Sequence, residues 1–272
     1  MNHRYGPWAL VTGASDGIGR ELAGQIAARG TNVVLVARTE SALLAEAAEL
    51  QAAHGIQTMV VAGDLADPHA VERVEELTGG LDVGLVVLAA GFGTTGSVLE
   101  TALADEMALI AVNVAAVTRL AHTFAGRLTR RGSGGLILFG SIVGWQGVPG
   151  QANYAASKAY VQSLAEALHD ELRPHGVDVL AVAPGPVASG FGARAGLAMT
   201  AATVSAADRA VAKDPIKLWV TSGIGRNATV TSVTMPSMPS EPVNSASRSK
   251  PGASRASLPR VMNSPSTVRM ST

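Results

Sequence analysis

Six short apolar runs recur along the first two thirds of this chain, at residues 9–11, 32–36, 58–61, 83–89, 136–139 and 177–182, each separated from the next by a longer stretch of helical patterning. Most of these runs are too uniformly apolar to leave one face wet, which is the pattern of strands covered on both faces. Such strands belong to a parallel sheet, and parallel neighbours require a crossover, here a helix. Helical patterns begin near Gly17, Glu40, Pro68, Ala102 and Tyr154, and residues 107–130 are predicted to include two helices. The fold class is therefore α/β, a doubly wound parallel sheet whose binding sites lie at the carboxyl ends of the strands. Of the 272 residues 47% are hydrophobic but only 4% aromatic, so the core must be built from Ala, Val, Leu and Ile. That suits Ala-lined helices packed on Val-rich strands.

The rhythm stops near the C-terminus. Residues 1–226 read as one domain, and from Asn227 onward Ser and Pro dominate, with Glu241 the only acid against five Lys or Arg residues. Recurrent prolines block helices and central strands, so residues 227–272 are expected to be an atypical, largely disordered tail. A disrupted coding frame after Ala210 and a natural tail are both open origins for it. Lys and Arg together number 21, as do Asp and Glu, so charge gives no reason to expect a polyanionic partner. Five basic residues without interleaved aromatics make a poor nucleic-acid site. The chain has no cysteine, and its six histidines form no pair at metal-ligand spacing, so no metal is expected. Little precedes the first apolar run, and no run reaches the ~18–20 residues of a membrane span, so a soluble, cytoplasmic protein without a leader is expected.

Chemistry is carried by three stretches. Thr12-Gly13-Ala14-Ser15-Asp16-Gly17-Ile18-Gly19 follows the first strand and opens the first helix. Glycines there let the backbone turn and approach a pyrophosphate, whose charge is met by free amides and the helix dipole, although glycine also serves ordinary turns. The second strand ends in Ala37-Arg38, where selectivity for NAD would place a carboxylate. The Arg38 guanidinium instead favours a 2′-phosphate; otherwise it is an exposed residue leading into a helix. Tyr154-Ala155-Ala156-Ser157-Lys158 opens a later helix, and i, i+4 spacing puts phenol and ammonium on one face. An adjacent cation is expected to lower the phenol pKa toward working pH, as general acid–base catalysis requires. Ser141, after the fifth strand, can orient a substrate oxygen.

Gly13-x3-Gly17-x-Gly19, Asp64, Asn113, Ser141, Tyr154-x3-Lys158 and Pro184-Gly185 occur in the order and approximate spacing of the short-chain dehydrogenase/reductase family, which the chain resembles over roughly residues 8–200. The resemblance implies a Rossmann-type fold and an NADP(H)-dependent exchange of hydride between cofactor and an alcohol or carbonyl. It implies that Tyr154 transfers the proton, that Lys158 holds the nicotinamide ribose and tunes Tyr154, that Ser141 positions the carbonyl, and that Asn113 supports a water-linked relay. It implies a cofactor site of Gly13, Ser15, Asp16, Gly17, Ile18, Gly19, Arg38, Asp64, Leu65, Ala90, Gly91, Tyr154, Lys158, Pro184, Gly185 and Val187. From the residues alone, Asp64 can equally cap a helix, and Asn113 can be a buried amide satisfying backbone groups.

Two features depart from the family pattern. The usual Asn-Ala-Gly after the fourth strand is Ala89-Ala90-Gly91, which removes an amide that would steady the central strands. The expected covering elements after Pro184-Gly185 are a lid at 191–200 carrying Phe191, Leu197 and Met199, a helix at 206–213 and a last strand at 228–231. With Val143, Trp145 and Val148 after Ser141, the lid candidates suggest an apolar substrate. The alternative is a dinucleotide-binding sensor or assembly subunit without turnover, made conceivable by the abnormal C-terminus. By the same resemblance, the helices within 107–130 and 154–173 pair subunits, so a homodimer or higher homo-oligomer is expected.

Overall fold

The computed structural model describes residues 3–185 and two two-residue strands, Val187–Ala188 and Val204–Ser205. All belong to the first of two compact units, Met1–Val230. The strands are β1 (Trp8–Thr12), β2 (Asn32–Ala37), β3 (Thr58–Ala62), β4 (Val83–Leu88), β5 (Gly134–Phe139) and β6 (Val177–Val182). They pair in parallel in the order β3-β2-β1-β4-β5-β6. Chain direction across the sheet reverses between β1 and β4, so the loops after these two strands diverge and leave a crevice at their carboxyl ends.

The crossovers are α1 (Gly17–Ala27), α2 (Glu40–His54), α3 (Pro68–Leu77), α4 (Leu103–Ile110), α5 (Val117–Arg131) and α6 (Ala152–Leu172). Successive strand residues face opposite sides of the sheet. Leu10, Val34, Val86, Leu136 and Val179 therefore join the core under α3, α5 and α6, and Ala9, Val11, Val33, Leu35 and Val87 join the core under α1 and α2. Among the described residues Phe124 is the largest fully buried side chain, in keeping with a core made of small apolar groups.

Residues 107–130 hold two α-helical segments, but no break separates them. Ala111–Ala116 form a π turn, and the helix runs without interruption from Leu103 to Arg131. Against the sequence expectation, this helix is long and apolar enough to meet the criteria for a membrane span, with 44% of its most apolar window buried inside the fold. Helix α6 begins two residues before Tyr154, at Ala152. Two further strands, β7 (Val187–Ala188) and β8 (Val204–Ser205), pair in parallel. The expected lid, the helix at 206–213, the strand at 228–231 and the tail from Asn227 lie outside the described residues.

Candidate active site

The crevice is a cleft of about 1230 Å³ running from Arg38 at one end to Ser141, Gln151 and Tyr154 at the other. Gly13, Ser15, Asp16, Gly17, Ile18 and Gly19 form its floor between β1 and α1. Asp16 caps α1, its carboxylate accepting the Gly17 amide at 2.7 Å, and the Ala14 amide donates to the Val36 carbonyl at 3.2 Å, which ties the turn to β2. A Cβ at position 19 would fall on the carbonyl oxygen of Gly13. Only glycine leaves that turn narrow enough for a ligand to lie against backbone.

Beyond β2, Ala37 and Arg38 line the cleft, and beyond β3 so do Asp64 and Leu65. The Asp64 carboxylate accepts the Ala66 amide at 3.0 Å, while Asp67 is the residue that caps α3, accepting from His69 at 2.9 Å. Asp64 thus holds the turn ahead of the helix without being its cap. After β4, Ala90 and Gly91 border the cleft. The family-pattern amide is absent at Ala89, yet this strand end is tied down, because Thr12 accepts the Ala90 amide at 3.0 Å and donates to the Val87 carbonyl at 3.5 Å. Thr12 escaped the sequence reading, although its place between a strand and the first glycine was the available signal.

Asn113 sits in the π turn and is fully buried. Its amide nitrogen donates to the Phe92 carbonyl at 2.9 Å and to Ser157 Oγ at 3.1 Å, and its oxygen accepts the Phe92 amide at 3.1 Å. Ser157 in turn donates to the Tyr154 carbonyl at 2.7 Å. Of the two readings of Asn113, the geometry displays the buried amide that satisfies backbone; it joins the loop after β4 to α6 from behind the cleft wall. Ser157, also missed, had a weak signal as a lone hydroxyl on an Ala-rich turn.

At the end opposite Arg38, Ser141 follows β5 and caps a short turn, Ile142–Trp145. Its hydroxyl donates to the Pro184 carbonyl at 3.4 Å, accepts the Val143 amide at 3.4 Å and is hydrogen-bonded to Tyr154. Pro184 and Gly185 close this side, and Val143 lines it, whereas Trp145 is half-exposed. Val187 lies in β7, where only the backbone is described. Tyr154 and Lys158 are both buried, with the Lys158 ammonium 5.8 Å from the phenol ring centroid and donating to the Phe139 carbonyl at 2.9 Å. Burial lowers Lys158 to about 8. Burial also raises the Tyr154 phenol above its ordinary value, opposed by its hydrogen bond with Ser141. The expected depression of the phenol by Lys158 is therefore not what this arrangement produces: the ammonium faces the ring and a carbonyl, and desolvation dominates both groups.

Three comparisons bear on this geometry. Residues 7–199 match the family model for short chain dehydrogenase. The chain is 38% identical over 181 residues to a very-long-chain 3-oxoacyl-CoA reductase of Podospora anserina, covering 65% of this chain and 53% of that protein. It thus spans about half the length of that curated relative. Among solved structures it resembles a short-chain dehydrogenase from Sphingobium yanoikuyae in complex with NADPH (TM-score 0.72, 33% identity, 74% of this chain and 80% of that one). It also resembles a bulky-bulky ketone specific alcohol dehydrogenase from Comamonas testosteroni (TM-score 0.69, 31% identity, 75% and 79%).

Proposed function

Because this chain belongs to the short-chain dehydrogenase family, we propose that it is an NADP(H)-dependent oxidoreductase that interconverts a carbonyl and an alcohol, with Tyr154 as proton donor and acceptor. One observation carries the reading: Ser141, Tyr154 and Lys158 converge at one end of the same cleft whose other end holds Arg38. A nicotinamide dinucleotide fits the cradle, since the turn at Gly19 has no room for a side chain and leaves backbone exposed to a pyrophosphate. Arg38 would hold the 2′-phosphate, Lys158 the nicotinamide ribose, and Pro184-Gly185 the nicotinamide side. When bound, the cofactor supplies or takes up the hydride.

The chain's own residues do the rest. Ser141 holds the substrate oxygen against Tyr154, and the phenol delivers its proton to that oxygen as negative charge develops. A phenol held above its ordinary pKa keeps its proton at neutral pH and so is available as an acid. Its hydrogen bond to Ser141 stabilises the phenolate left behind. An intact Ser141, Tyr154 and Lys158 set favours turnover over a purely sensory role. Val143 on the wall supports an apolar substrate. The protein is proposed to be cytoplasmic and without a membrane span, because the Leu103–Arg131 helix packs on the sheet through Leu120, Phe124 and Leu128. A homodimer or higher oligomer is proposed through the faces of α4 and α6 that expose Met107 and Tyr160, and light scattering after size exclusion tests it.

Following NADPH and NADH oxidation with a panel of ketones tests the activity. Reduction with NADPH preferred is expected, and Arg38→Ala should raise the KM for NADPH about tenfold or more while barely moving that for NADH. Equal use of both cofactors by the unaltered protein would remove Arg38 from the argument. No oxidation of either with any ketone would remove the activity.

A further inference from the structure

Three side chains that line the cleft follow one another along a single face of α6. Lys158, Tyr154 and Gln151 are spaced i, i−4 and i−7, the spacing of neighbours stacked toward the start of a helix. Gln151 is the N-cap position, one turn beyond Tyr154 on the side away from Lys158 and from the proposed ribose site. Its backbone is fixed: the amide donates to the Val148 carbonyl at 3.0 Å, and the carbonyl accepts the Ala155 amide at 2.8 Å. Residues on both sides of it are tied across to other elements. The Gly96 amide, in the loop after β4, donates to the Gly150 carbonyl at 2.9 Å, and Asn153 donates to the Glu106 carbonyl at 3.0 Å and to its carboxylate at 2.7 Å. The half-buried Gln151 side chain contributes nothing to this frame. It makes no cap for α6, and among the described residues it has no hydrogen-bond partner.

We infer that Gln151 determines specificity, its side-chain amide holding a second, uncharged oxygen of the substrate beside the carbonyl that meets Ser141 and Tyr154. The inference rests on the proposed reductase reading and narrows its substrate to ketones that carry an ester, carbonyl or hydroxyl oxygen a few bonds from the reacting carbon. Three residues of helix rise by ~4.5 Å, a separation within reach of the two oxygens of a β-keto ester. A primary amide has two N–H donors and an acceptor, so it takes either kind of oxygen and asks for no charge on it. The side chains of Ile142 and Val143, which line the same end, offer only apolar contact. The Ser141 hydroxyl is engaged with Tyr154, the Val143 amide and the Pro184 carbonyl. A few placed polar groups in a largely apolar pocket fix how a ligand lies, and a substrate without the matching oxygen leaves the amide unpaired and is disfavoured.

The test compares ethyl 3-oxobutanoate with 2-heptanone, whose main chains are equally long, using the full chain and NADPH. Gln151→Met keeps the length of the side chain and removes the amide. In that variant the ratio of kcat/KM for the ester to kcat/KM for the ketone should fall about three- to tenfold, chiefly through a higher KM for the ester. Taking the ratio within each protein cancels the greater electrophilicity of the ester. A merely structural fault at the start of α6 would depress both substrates together and leave the ratio unmoved, and an unmoved ratio overturns the inference. Calorimetry on the NADP-loaded proteins separates the two readings. If neither compound is turned over but the ester binds the parent more tightly than it binds Gln151→Met, the oxygen contact stands and the reductase reading falls. In the absence of turnover, equal ester affinity in the two proteins, or none in either, overturns the inference as well.

Discussion

Lys158 is an ammonium held where water cannot follow, and its fold-induced shift from an ordinary 10.5 to about 8 has a sign that stability measurements can read. Between those two values the unfolded chain keeps a proton that the native protein has released, so stability climbs as pH rises through that window. Below about 8 both states are protonated and the full penalty is present, on the order of 3 kcal/mol. Lys158→Met should therefore unfold at higher urea than the parent at pH 7 while binding NADPH more weakly, with the stability advantage shrinking by pH 10. A variant that is less stable at pH 7 would show that the bond to Phe139 outweighs desolvation. Tyr154→Phe keeps the ring but removes the proton, so turnover should drop by about 10²- to 10⁴-fold with the NADPH Kd from fluorescence titration nearly unchanged. The pairing of these two side chains was legible from spacing alone, because four residues along a helix return to one face. Where the ammonium points was not legible, since it depends on the end of β5, which the sequence places 19 residues away.

Among the elements, the π turn of Ala111–Ala116 is the least expected and the most consequential. It puts Asn113 inward, against Phe92 and Ser157, where an α-helical register would have pointed a different residue. Asn113→Ala leaves the Phe92 amide and carbonyl without that partner, and chemical denaturation should register a loss of about 2–3 kcal/mol. Ser157→Ala, which removes one acceptor of a shared donor, should cost about 1 kcal/mol or less. Equal losses in the two variants would mean that the Phe92 contact carries no special weight. All six strands were readable because their runs are short, bounded and predominantly apolar. A shift in helical hydrogen-bond register has no residue marker, so the sequence suggested two helices where the chain continues through. The start of α6 was misplaced by two residues for a related reason: Gln151 makes no side-chain cap, and the usual signal is missing.

The whole sheet is fastened at the end opposite the cleft by its N-terminal residues. Arg4 and Tyr5 reach Asp178 on β6, 174 and 173 residues away, and Arg131 bonds the Arg4 carbonyl at 2.6 Å. Burial works against the Asp178 charge, but the hydrogen bonds from Arg4 and Tyr5 prevail and hold its carboxyl below the ordinary value. The Arg4–Asp178 pair is half-exposed, so Arg4→Ala should cost under about 1 kcal/mol. Tyr5 also packs its ring against Gly135 and the core under α1 and α2, so Tyr5→Ala should cost more, about 2–3 kcal/mol. Thermal unfolding of both variants ranks the two effects, and the reverse order would make the ion pair the true fastening. A doubly wound parallel sheet followed from the βαβ rhythm, but this clasp did not, because nothing in a short N-terminal stretch announces a partner so far along the chain.

The π turn also divides labour along one helix. Each added residue swings everything beyond it by about 100° around the axis. The turn thereby sets the facing of α4, along the cleft, independently of the facing of α5, which is locked into the sheet by Leu120, Phe124 and Leu128. Substitutions in α4 can reshape what the cleft admits without disturbing the packing of α5, so the helix is a joint at which selectivity is free to drift while the scaffold stays fixed.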